Sequence, residues 1–409
     1  MRLGSRAVGL VAGFDRPVYV VAAGQLVDTF GSGVVYPFLT LYFHLAVGVP
    51  LSVVGLALLA NNVGLACGSV LGGYAADRRG RKPVMVVSLG ASAVALTSYA
   101  FVGDAGGLLA VAAAAGVAGG LYGPAGQAWI ADVVSGGDRD RAYSLLKVAR
   151  NLGFGAGFVA GGVLYAVAHA SVFVVDGLTA GVVALLVVAA VPRVHGGTPD
   201  VSLRDAVGNW RRAVTRPRAL GLAGLNALFA VCYVQMQATV PVVAATDLGL
   251  SSAQIGTLWT LNPIVIVLFQ LPLTAYATRW RRTRTLVLSA GCWGASFVAV
   301  WFVGLVPALV GVGLVGAFLV ARTVGEIFHS PFVTSLAAAF ASADERGGGL
   351  SLLSVAMRLG QGVGAYLGGL AFDHGLQGLL WPGLVGVAVV IAVGSLALER
   401  TVTTAENAA

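Results

Sequence analysis

Long uncharged stretches dominate this chain of 409 residues and limit what it can fold into. Only 10% of its residues are Asp, Glu, Lys or Arg, whereas soluble domains contain about 25%. A chain so poor in charge cannot cover a water-facing surface, but it can cover a lipid-facing one. Because a helix needs roughly 20 apolar residues to cross a bilayer, these stretches predict an all-α membrane protein.

Twelve stretches are long enough to be transmembrane helices, and we number them spans 1 to 12. Their length, and their Gly, Ala, Leu and Val runs without period-two alternation, favour helices over a barrel. The predicted spans are 17–40, 51–75, 83–103, 107–133, 142–168, 171–191, 218–246, 252–278, 285–304, 307–341, 349–372 and 375–398.

Positive charge lies on one side of the predicted spans. Nearly every cation falls before span 1 or after spans 2, 4, 6, 8 and 10, while the opposite loops contain no Lys or Arg. This positive-inside pattern predicts that both termini are cytoplasmic, and it accounts for the net charge of +8 without a nucleic-acid partner. Since only Lys82 and Lys147 among the 25 basic residues are lysines, we expect a GC-rich prokaryote and its inner membrane.

The two halves of the chain repeat each other. A shift of 207 residues aligns 143–165 with 350–372 without gaps. Each half holds six spans, so the halves have the same orientation, and parallel repeats of this kind are typical of transporters with a cavity at the junction. The glycines that match across the shift are those at 153, 155, 157, 161 and 162 and those at 360, 362, 364, 368 and 369.

The repeat predicts two pseudo-symmetric six-helix bundles, 1–191 and 218–398. The segment 192–217 joins them as a polar, arginine-rich cytoplasmic linker, part of which is expected to form an amphipathic surface helix. Residues 399–409 are expected to form a cytoplasmic tail.

The loop between spans 2 and 3 relates this chain to a known family. It reads GGYAADRRGRKP over residues 72–83. This loop resembles the signature of the major facilitator superfamily at Gly73, Asp77, Arg78, Gly80, Arg81 and Lys82. The twelve spans and the repeat extend the resemblance over nearly the whole chain.

The resemblance implies that this loop is a cytoplasmic gate. In the family, contacts of the loop hold the cytoplasmic side closed, and the small Gly73 lets the halves approach. From the residues themselves, the cations of the loop can pair with acids such as Asp132, with a simple topology anchor as the alternative. Thr278 stands in the second half where Asp77 stands in the first, so the gate is predicted to be asymmetric.

Within the superfamily, the chain is similar to the proton-coupled drug antiporters. The similar segments are GSGVVYPFLTLYF in span 1, PAGQAWIAD in span 4 and GEIFHSP in span 10. The resemblance implies an exporter of hydrophobic or cationic compounds that works by alternating access. Two departures weaken that implication: Phe158 replaces the proline of the span 5 antiporter signature, and span 4 lacks its expected arginine. The damaged signature favours the alternative, a proton symporter that imports a small polar nutrient.

Three ionisable residues share one helical face near the middle of span 10. Arg322, Glu326 and His329 lie four and three residues apart. A charge at the bilayer centre costs on the order of 2.5–3.5 kcal/mol, so it faces a partner or a wet cavity. We interpret Glu326 as the proton carrier and Arg322 as a fixed tuning charge, with a structural ion pair as the alternative. For His329, packing or substrate contact explains its presence as well as a proton relay does.

Span 1 contains a second intramembrane acid. Asp28 shares one helical stripe with Gln25, Ser32 and Tyr36, and such a stripe should line the cavity. Asp28 could carry a second proton or attract a cationic substrate; a structural hydrogen bond is the alternative. For Asp176, near the outer end of span 6, we predict an interfacial role.

Further polar and aromatic residues of the spans are candidates for the substrate cavity. Interhelical hydrogen bonding or interface anchoring explains any one of them equally well. These candidates are Asn61, Tyr122, Tyr233, Gln235, Gln237, Asn262 and Gln270.

The sequence offers little for enzymatic chemistry. It shows no metal-ligand cluster, no Ser/His/Asp arrangement and no phosphate-binding glycine loop, so a membrane enzyme or sensor is disfavoured. The three cysteines have no paired spacing and are interpreted as packing residues. We expect no cofactor besides the coupling proton, and a monomer whose partners are a small-molecule substrate, protons and lipid.

Overall fold

The computed structural model describes Phe14 and residues 16–133, 139–192, 214–340 and 346–408. These parts of the chain are helical and contain no strand. Twelve long helices, α1 to α12, follow the predicted spans in order. Nearly all of the predicted linker 192–217 lies outside the described residues.

The six helices of the first half are mostly unbroken. Helix α1 is followed by two further helical pieces, α1b and a π-helical turn, and α3 is followed by a 3₁₀ helix at Tyr99–Phe101. The bounds are α1 Arg16–Val35, α1b Phe38–Leu41, the π-helical turn Tyr42–Ala46, α2 Leu51–Arg79, α3 Arg81–Ser98, α4 Ala105–Val133, α5 Arg139–Val167 and α6 Ser171–Ala190.

The second half has more breaks, because α7 and α8 are divided into segments. A short helix, α13, follows the last long one. The bounds are α7a Pro217–Tyr233, α7b Gln235–Ala238, α7c Val240–Thr246, α8a Ser252–Trp259, α8b Leu261–Ala277, α9 Arg282–Trp301, α10 Ala308–Ala339, α11 Arg346–Asp373, α12 Gln377–Glu399 and α13 Thr404–Asn407.

Length and composition make ten of the described helical stretches able to cross a membrane. The two long helices outside that set are α5 and α11, which carry the matched glycines of the repeat. Glycine adds little hydropathy, and Arg150 and Arg358 lower it further in these two helices. The break after α1 and the break before α7c also have a sequence cause, since the matched residues Pro37 and Pro241 lack the backbone N–H that a continuing helix needs.

The described residues divide into two compact units. Unit 1 holds the chain up to Tyr42, from Val63 to 192, and Ser252–Pro263; unit 2 holds Phe43–Asn62, 214 to Ser251, and the chain from Ile264 onward. These units differ from the predicted contiguous bundles 1–191 and 218–398 at two helices. The start of α2 belongs to unit 2, and α8a belongs to unit 1.

Helix packing inside each unit repeats the same pairs. In unit 1, α1 packs against α5 and α6, and α3 packs against α4 and α6. In unit 2, α7a packs against α11 and α12, and α9 packs against α10 and α12. Adding six to each helix number converts the first set into the second, so the predicted pseudo-symmetry is confirmed in the packing.

Three of the five matched glycines in each half allow close packing inside their own bundle. A Cβ at Gly157 of α5 would lie 2.9 Å from the Gly33 Cα of α1, closer than real Cβ atoms approach. Its counterpart Gly364 of α11 would place a Cβ 2.7 Å from the Val231 Cα of α7a. Only glycine permits such an approach of two helix backbones.

The other two matched glycines face the helix segments that cross the predicted bundle boundary. A Cβ at Gly162 of α5 would lie 2.9 Å from the Ala253 Cα of α8a. A Cβ at Gly369 of α11 would lie 2.5 Å from the Ser52 N at the start of α2. The repeat in the sequence is thus a repeat of helix contacts.

A carboxylate fixes the start of α2 to the end of α11. Asp373 Oδ1 accepts from the Leu51 N–H at 2.8 Å, and Oδ2 accepts from the Ser52 N–H at 2.9 Å. These N–H groups lack helical partners, and a negative charge at a helix N-terminus is favourable. Partial burial acts to raise the pKa of Asp373, but hydrogen bonds from Ser52 and Leu51 outweigh it, so the pKa lies below its usual value.

We expect Asp373→Asn to lower the free energy of unfolding by about 1 kcal/mol at neutral pH. Because the pKa is lower in the folded protein, the contribution of Asp373 is present above the unfolded pKa of about 3.9 and is lost as pH falls through the folded value. Thermal unfolding in detergent between pH 3 and pH 7 measures this. The control is Asp104→Asn, since Asp104 caps only its own helix through the exposed Gly107 N–H. Equal pH dependence of unfolding in the wild type and Asp373→Asn would contradict the assignment.

Candidate functional site

Helix α10 brings Arg322 and Glu326 together. Arg322 Nη1 lies 3.1 Å from Glu326 Oε2, in the i,i+4 arrangement predicted from the sequence. The Arg322 side chain is 1% exposed and that of Glu326 is 23% exposed. Of the two charges, only the carboxylate is accessible to solvent or substrate.

Two aromatic rings surround the Arg322 guanidinium. Its Cζ lies 4.3 Å from the Tyr233 ring centroid and 5.2 Å from the Trp293 ring centroid. A desolvated cation over such faces is stabilised by about 2 kcal/mol. Gly325 makes room for the indole, since a Cβ there would lie 2.7 Å from Trp293 Cδ1. The cation therefore has favourable contacts other than those with Glu326.

Tyr233 also reaches the carboxylate. Its hydroxyl donates to Glu326 Oε1 at 3.4 Å, while Arg322 Nη1 donates to Oε2. The two oxygens of Glu326 thus have different donors, from α7a and from α10. Tyr233 is one of the predicted cavity residues, whereas no feature of the sequence indicated Trp293.

His329 lies one turn beyond Glu326 on α10 but has a different environment. It is 6% exposed, and its ring centroid lies 4.1 Å from that of Phe229 on α7a. Its Nε2 has no hydrogen-bond partner among the described residues. Of the alternatives for His329, these contacts favour packing over a proton relay.

The predicted polar stripe of α1 is present in unit 1. Gln25, Asp28, Ser32 and Tyr36 are all half-buried, whereas Thr29 beside them is buried. Among the ion pairs of the described residues, none includes Asp28. Asp28 interacts electrostatically with Arg150 of α5 and with Tyr122 of α4.

Asp176, predicted to have an interfacial role, is 5% exposed and packs inside unit 1. Helix α6 packs on α1 at Gly31, where a Cβ would lie 2.6 Å from Asp176 Oδ1. The missing side chain at Gly31 makes room for the carboxyl group, and the sequence pattern of α6 alone could not reveal that neighbour.

Gln235 is the clearest correction among the cavity candidates. It is 0% exposed, and its Nε2 donates to the Val231 and Gly364 carbonyls at 3.0 Å each, while its Oε1 accepts from Thr239 at 2.8 Å. With its amide satisfied between α7 and α11, Gln235 has no group left for a substrate. The other candidates are half-buried, namely Asn61, Tyr122, Tyr233, Gln237, Asn262 and Gln270.

The loop signature forms a sharp corner between α2 and α3. Gly80 has φ of 87°, a left-handed conformation that favours glycine. Asp77 Oδ1 pairs with Arg81 Nη1 at 2.9 Å across the corner. Lys82 Nζ donates to the Val188 carbonyl near the end of α6 at 2.7 Å, a favourable place for a cation.

The remaining positions of the signature make looser contacts in this structure. The Arg78 guanidinium lies 4.7 Å from the Tyr74 ring centroid. A Cβ at Gly73 would meet no heavy atom within 4 Å. The side chain of Asp132 lies outside the described residues, and the gate role of the loop stays a prediction.

In the second half, another helix supplies the acid that Thr278 does not provide. Glu399 at the end of α12 accepts from Arg281 at 2.7 Å and from Arg284 at 3.3 Å. Beyond it, the buried Asn407 of α13 exchanges two hydrogen bonds of 3.0 Å with Thr283. The arginine-rich end of unit 2 is thus held by the last helix and the tail, an arrangement that the sequence analysis missed.

The described residues contain no group of three or more His, Cys, Asp or Glu that could hold a metal ion. Their cysteines are free thiols: Cys232 is buried, Cys292 is half-buried and Cys67 is exposed.

Comparison with known proteins agrees with this architecture. The family profile described as Major Facilitator Superfamily matches residues 21–251 and 228–408. An uncharacterized MFS-type transporter of Bacillus subtilis, YttB, is 24% identical over 94% of this chain and 96% of its own length. The multidrug resistance protein MdtH of Salmonella typhimurium is 23% identical over 92% of this chain and 93% of its own.

Solved structures show the same fold. The POT family transporter PepTSo superposes with a TM-score of 0.81 at 13% identity, covering 95% of this chain and 98% of its own. The profile match spans almost all the described helices. The chain belongs to the Major Facilitator Superfamily of membrane transporters.

Proposed function

We propose that this transporter is a proton-coupled exporter of hydrophobic or cationic compounds that works by alternating access. The observation that carries the proposal is the partly exposed carboxyl group of Glu326, paired inside a membrane helix with an arginine that cannot release its proton. Leucine would insert into the bilayer at lower cost than either residue. A buried ion pair is also weak evidence for stability, so a coupling role explains the pair better.

In the proposed cycle, Glu326 holds a proton in one state and pairs with Arg322 in the other. Protonation removes the negative charge beside Arg322, and the rings of Tyr233 and Trp293 keep the guanidinium in place. Loss of the proton restores the ion pair. Antiport requires that the transporter carries either a proton or a substrate molecule, but not both, at each crossing. In the proposed cycle, gain and loss of the proton by Glu326 provide one half of this exchange.

Two features support a cationic or hydrophobic cargo. MdtH, a relative over almost its full length, is named a multidrug resistance protein. In addition, Asp28 is an intramembrane carboxyl group that belongs to no ion pair of the described residues, and we propose that it attracts a cationic substrate. We further propose that the arginine-rich ends face the cytoplasm of a prokaryote, that the protein resides in the inner membrane as a monomer, and that no cofactor is required.

Transport by inside-out vesicles tests the direction and the coupling. Vesicles with an acidic lumen should accumulate tetraphenylphosphonium only when the protein is present. Adding tetraphenylphosphonium to these vesicles should raise the luminal pH, because protons leave in exchange. Collapsing the proton gradient should stop accumulation. The matched control is vesicles containing the Glu326→Gln variant at equal abundance. Uptake of a polar nutrient by right-side-out vesicles from an acidic medium, without tetraphenylphosphonium movement, would favour the symporter instead.

A further inference from the structure

Tyr233 contacts both members of the buried ion pair with different parts of its side chain. Its ring faces the Arg322 guanidinium, with 4.3 Å between the centroid and Cζ. Its hydroxyl donates to Glu326 Oε1 at 3.4 Å. The ring contact is made to a charge that does not change, and the hydroxyl contact is made to the group proposed to titrate.

The backbone around Tyr233 is held against α11. Tyr233 is the last residue of α7a, and the next turn begins with the buried Gln235, which donates to the Gly364 carbonyl of α11. Two residues before Tyr233, Val231 packs on Gly364 so closely that a Cβ at Gly364 would lie 2.7 Å from its Cα. The side chain of Tyr233 therefore leaves a fixed point of the unit.

We propose that Tyr233 is the positioning residue for proton exchange at Glu326. This inference rests on the proposed function. A hydroxyl that donates to a carboxylate favours its ionised form over the protonated one, and the Tyr233 hydroxyl is placed to do this at Glu326. The ring separately keeps Arg322 in place when Glu326 is neutral.

Other titratable or charged groups are carried by α10 itself and by the helices packed against it. Helix α10 itself contributes Arg322 and His329, and His329 packs on α7a. From α9, Cys292 lies against Gly325, where a Cβ would be 3.2 Å from the Cys292 Cβ. Helix α11, which packs against α10, carries the half-buried Arg358. None of these changes in the variants described next.

The experiment separates the hydroxyl from the ring. In Tyr233→Phe, the ring stays over Arg322 and the hydroxyl is lost. The protonated carboxyl band of Glu326, identified in infrared spectra by its absence in Glu326→Gln, is followed against pH in the purified wild type and variant. We expect the midpoint to move to higher pH by roughly half a unit or more, because the ionised form loses a donor.

Tyr276→Phe is the matched control. The Tyr276 ring also lies near an arginine, with its centroid 5.8 Å from the Arg279 Cζ, but the residue is 49% exposed on α8b. Removing the Tyr276 hydroxyl should leave the midpoint pH of the Glu326 carboxyl band unchanged. A second variant, Tyr233→Leu, removes the ring as well, and we expect it to lower the transport rate about tenfold beyond Tyr233→Phe.

Each outcome separates this inference from the proposed function. An unchanged Glu326 midpoint in Tyr233→Phe overturns the positioning role, even when the wild type transports protons. A shift of equal size in Tyr276→Phe also overturns it, since the effect would then be general. A clear shift in Tyr233→Phe combined with no proton-coupled transport by the wild type supports the contact and overturns the exporter. If no Glu326 band titrates at any pH, both proposals fail.

Discussion

Glu326→Gln should reduce proton-coupled transport at least roughly 100-fold, because an amide does not take up a proton near neutral pH. Glutamine has nearly the same volume as glutamate, and its carbonyl oxygen still accepts from the Tyr233 hydroxyl or from Arg322. The variant should therefore fold and insert normally. Proteoliposomes with a luminal pH indicator measure the loss directly, as proton movement on addition of tetraphenylphosphonium.

Glu406→Gln is the control for that measurement. Glu406 lies in α13, where it accepts from the Thr403 N–H and lies 3.5 Å from Arg218, far along the chain from the intramembrane pair. Its loss should leave coupled transport at the wild-type rate. Unchanged pH-driven transport in Glu326→Gln would remove Glu326 from the mechanism.

Arg322→Leu should both destabilise the protein and abolish transport. The guanidinium is 1% exposed, so its removal leaves the half-buried Glu326 carboxylate without its ion-pair partner, with the Tyr233 hydroxyl still donating to it. Breaking a buried pair from one side costs about 3–5 kcal/mol. The carboxyl group can avoid that cost only by remaining protonated, and a carboxyl group that never releases its proton cannot couple. Thermal unfolding in detergent measures the first effect and proteoliposome transport the second.

The double variant Arg322→Leu with Glu326→Gln distinguishes a coupling pair from a structural one. With no charge left at the site, stability should return to near the wild-type value, because neutral replacements of buried pairs are often harmless. Transport should stay absent. A double variant as unstable as Arg322→Leu alone would show that the guanidinium is needed for packing between Tyr233 and Trp293.

Local features of the site could be predicted from the sequence because they depend on spacing along one helix. Arg322 and Glu326 are four residues apart, so helical geometry alone places them together, and the structure has them 3.1 Å apart. The same holds for the stripe from Gln25 to Tyr36 on α1. The repeat was visible as well, because matched glycines mark matched helix contacts.

The neighbours that complete the site could not be predicted, because they come from other helices. Trp293 of α9 reaches Arg322 only because Gly325 has no side chain. Asp176 is buried because Gly31 of another helix makes room for it, and Gln235 is satisfied by a carbonyl of α11. A single sequence has no signal for such pairings, since each joins residues more than thirty positions apart.

The division of α2 and α8 between the units was also invisible in the sequence. Both helices read as apolar spans, and the polar residues Asn61, Asn62 and Asn262 near these limits do not indicate a change of packing partner. Gly162 and Gly369 pack closely on these segments, and the partners of both glycines lie in the other half of the chain. Hydrophobic patterns report which residues avoid water, but they do not report which helix buries them.

The aromatic surroundings of Arg322 have an electrical consequence. The rings hold this positive charge whether or not the carboxylate is ionised, so the charge remains on the protein throughout a cycle. Only the proton and the substrate then carry net charge across the membrane. Exchange of one proton for one monovalent organic cation then moves no net charge, and a membrane voltage neither drives nor opposes it. Exchange of one proton for an uncharged molecule carries current, and each 100 mV contributes about 2.3 kcal/mol. The voltage sensitivity of transport would therefore report the charge of the cargo.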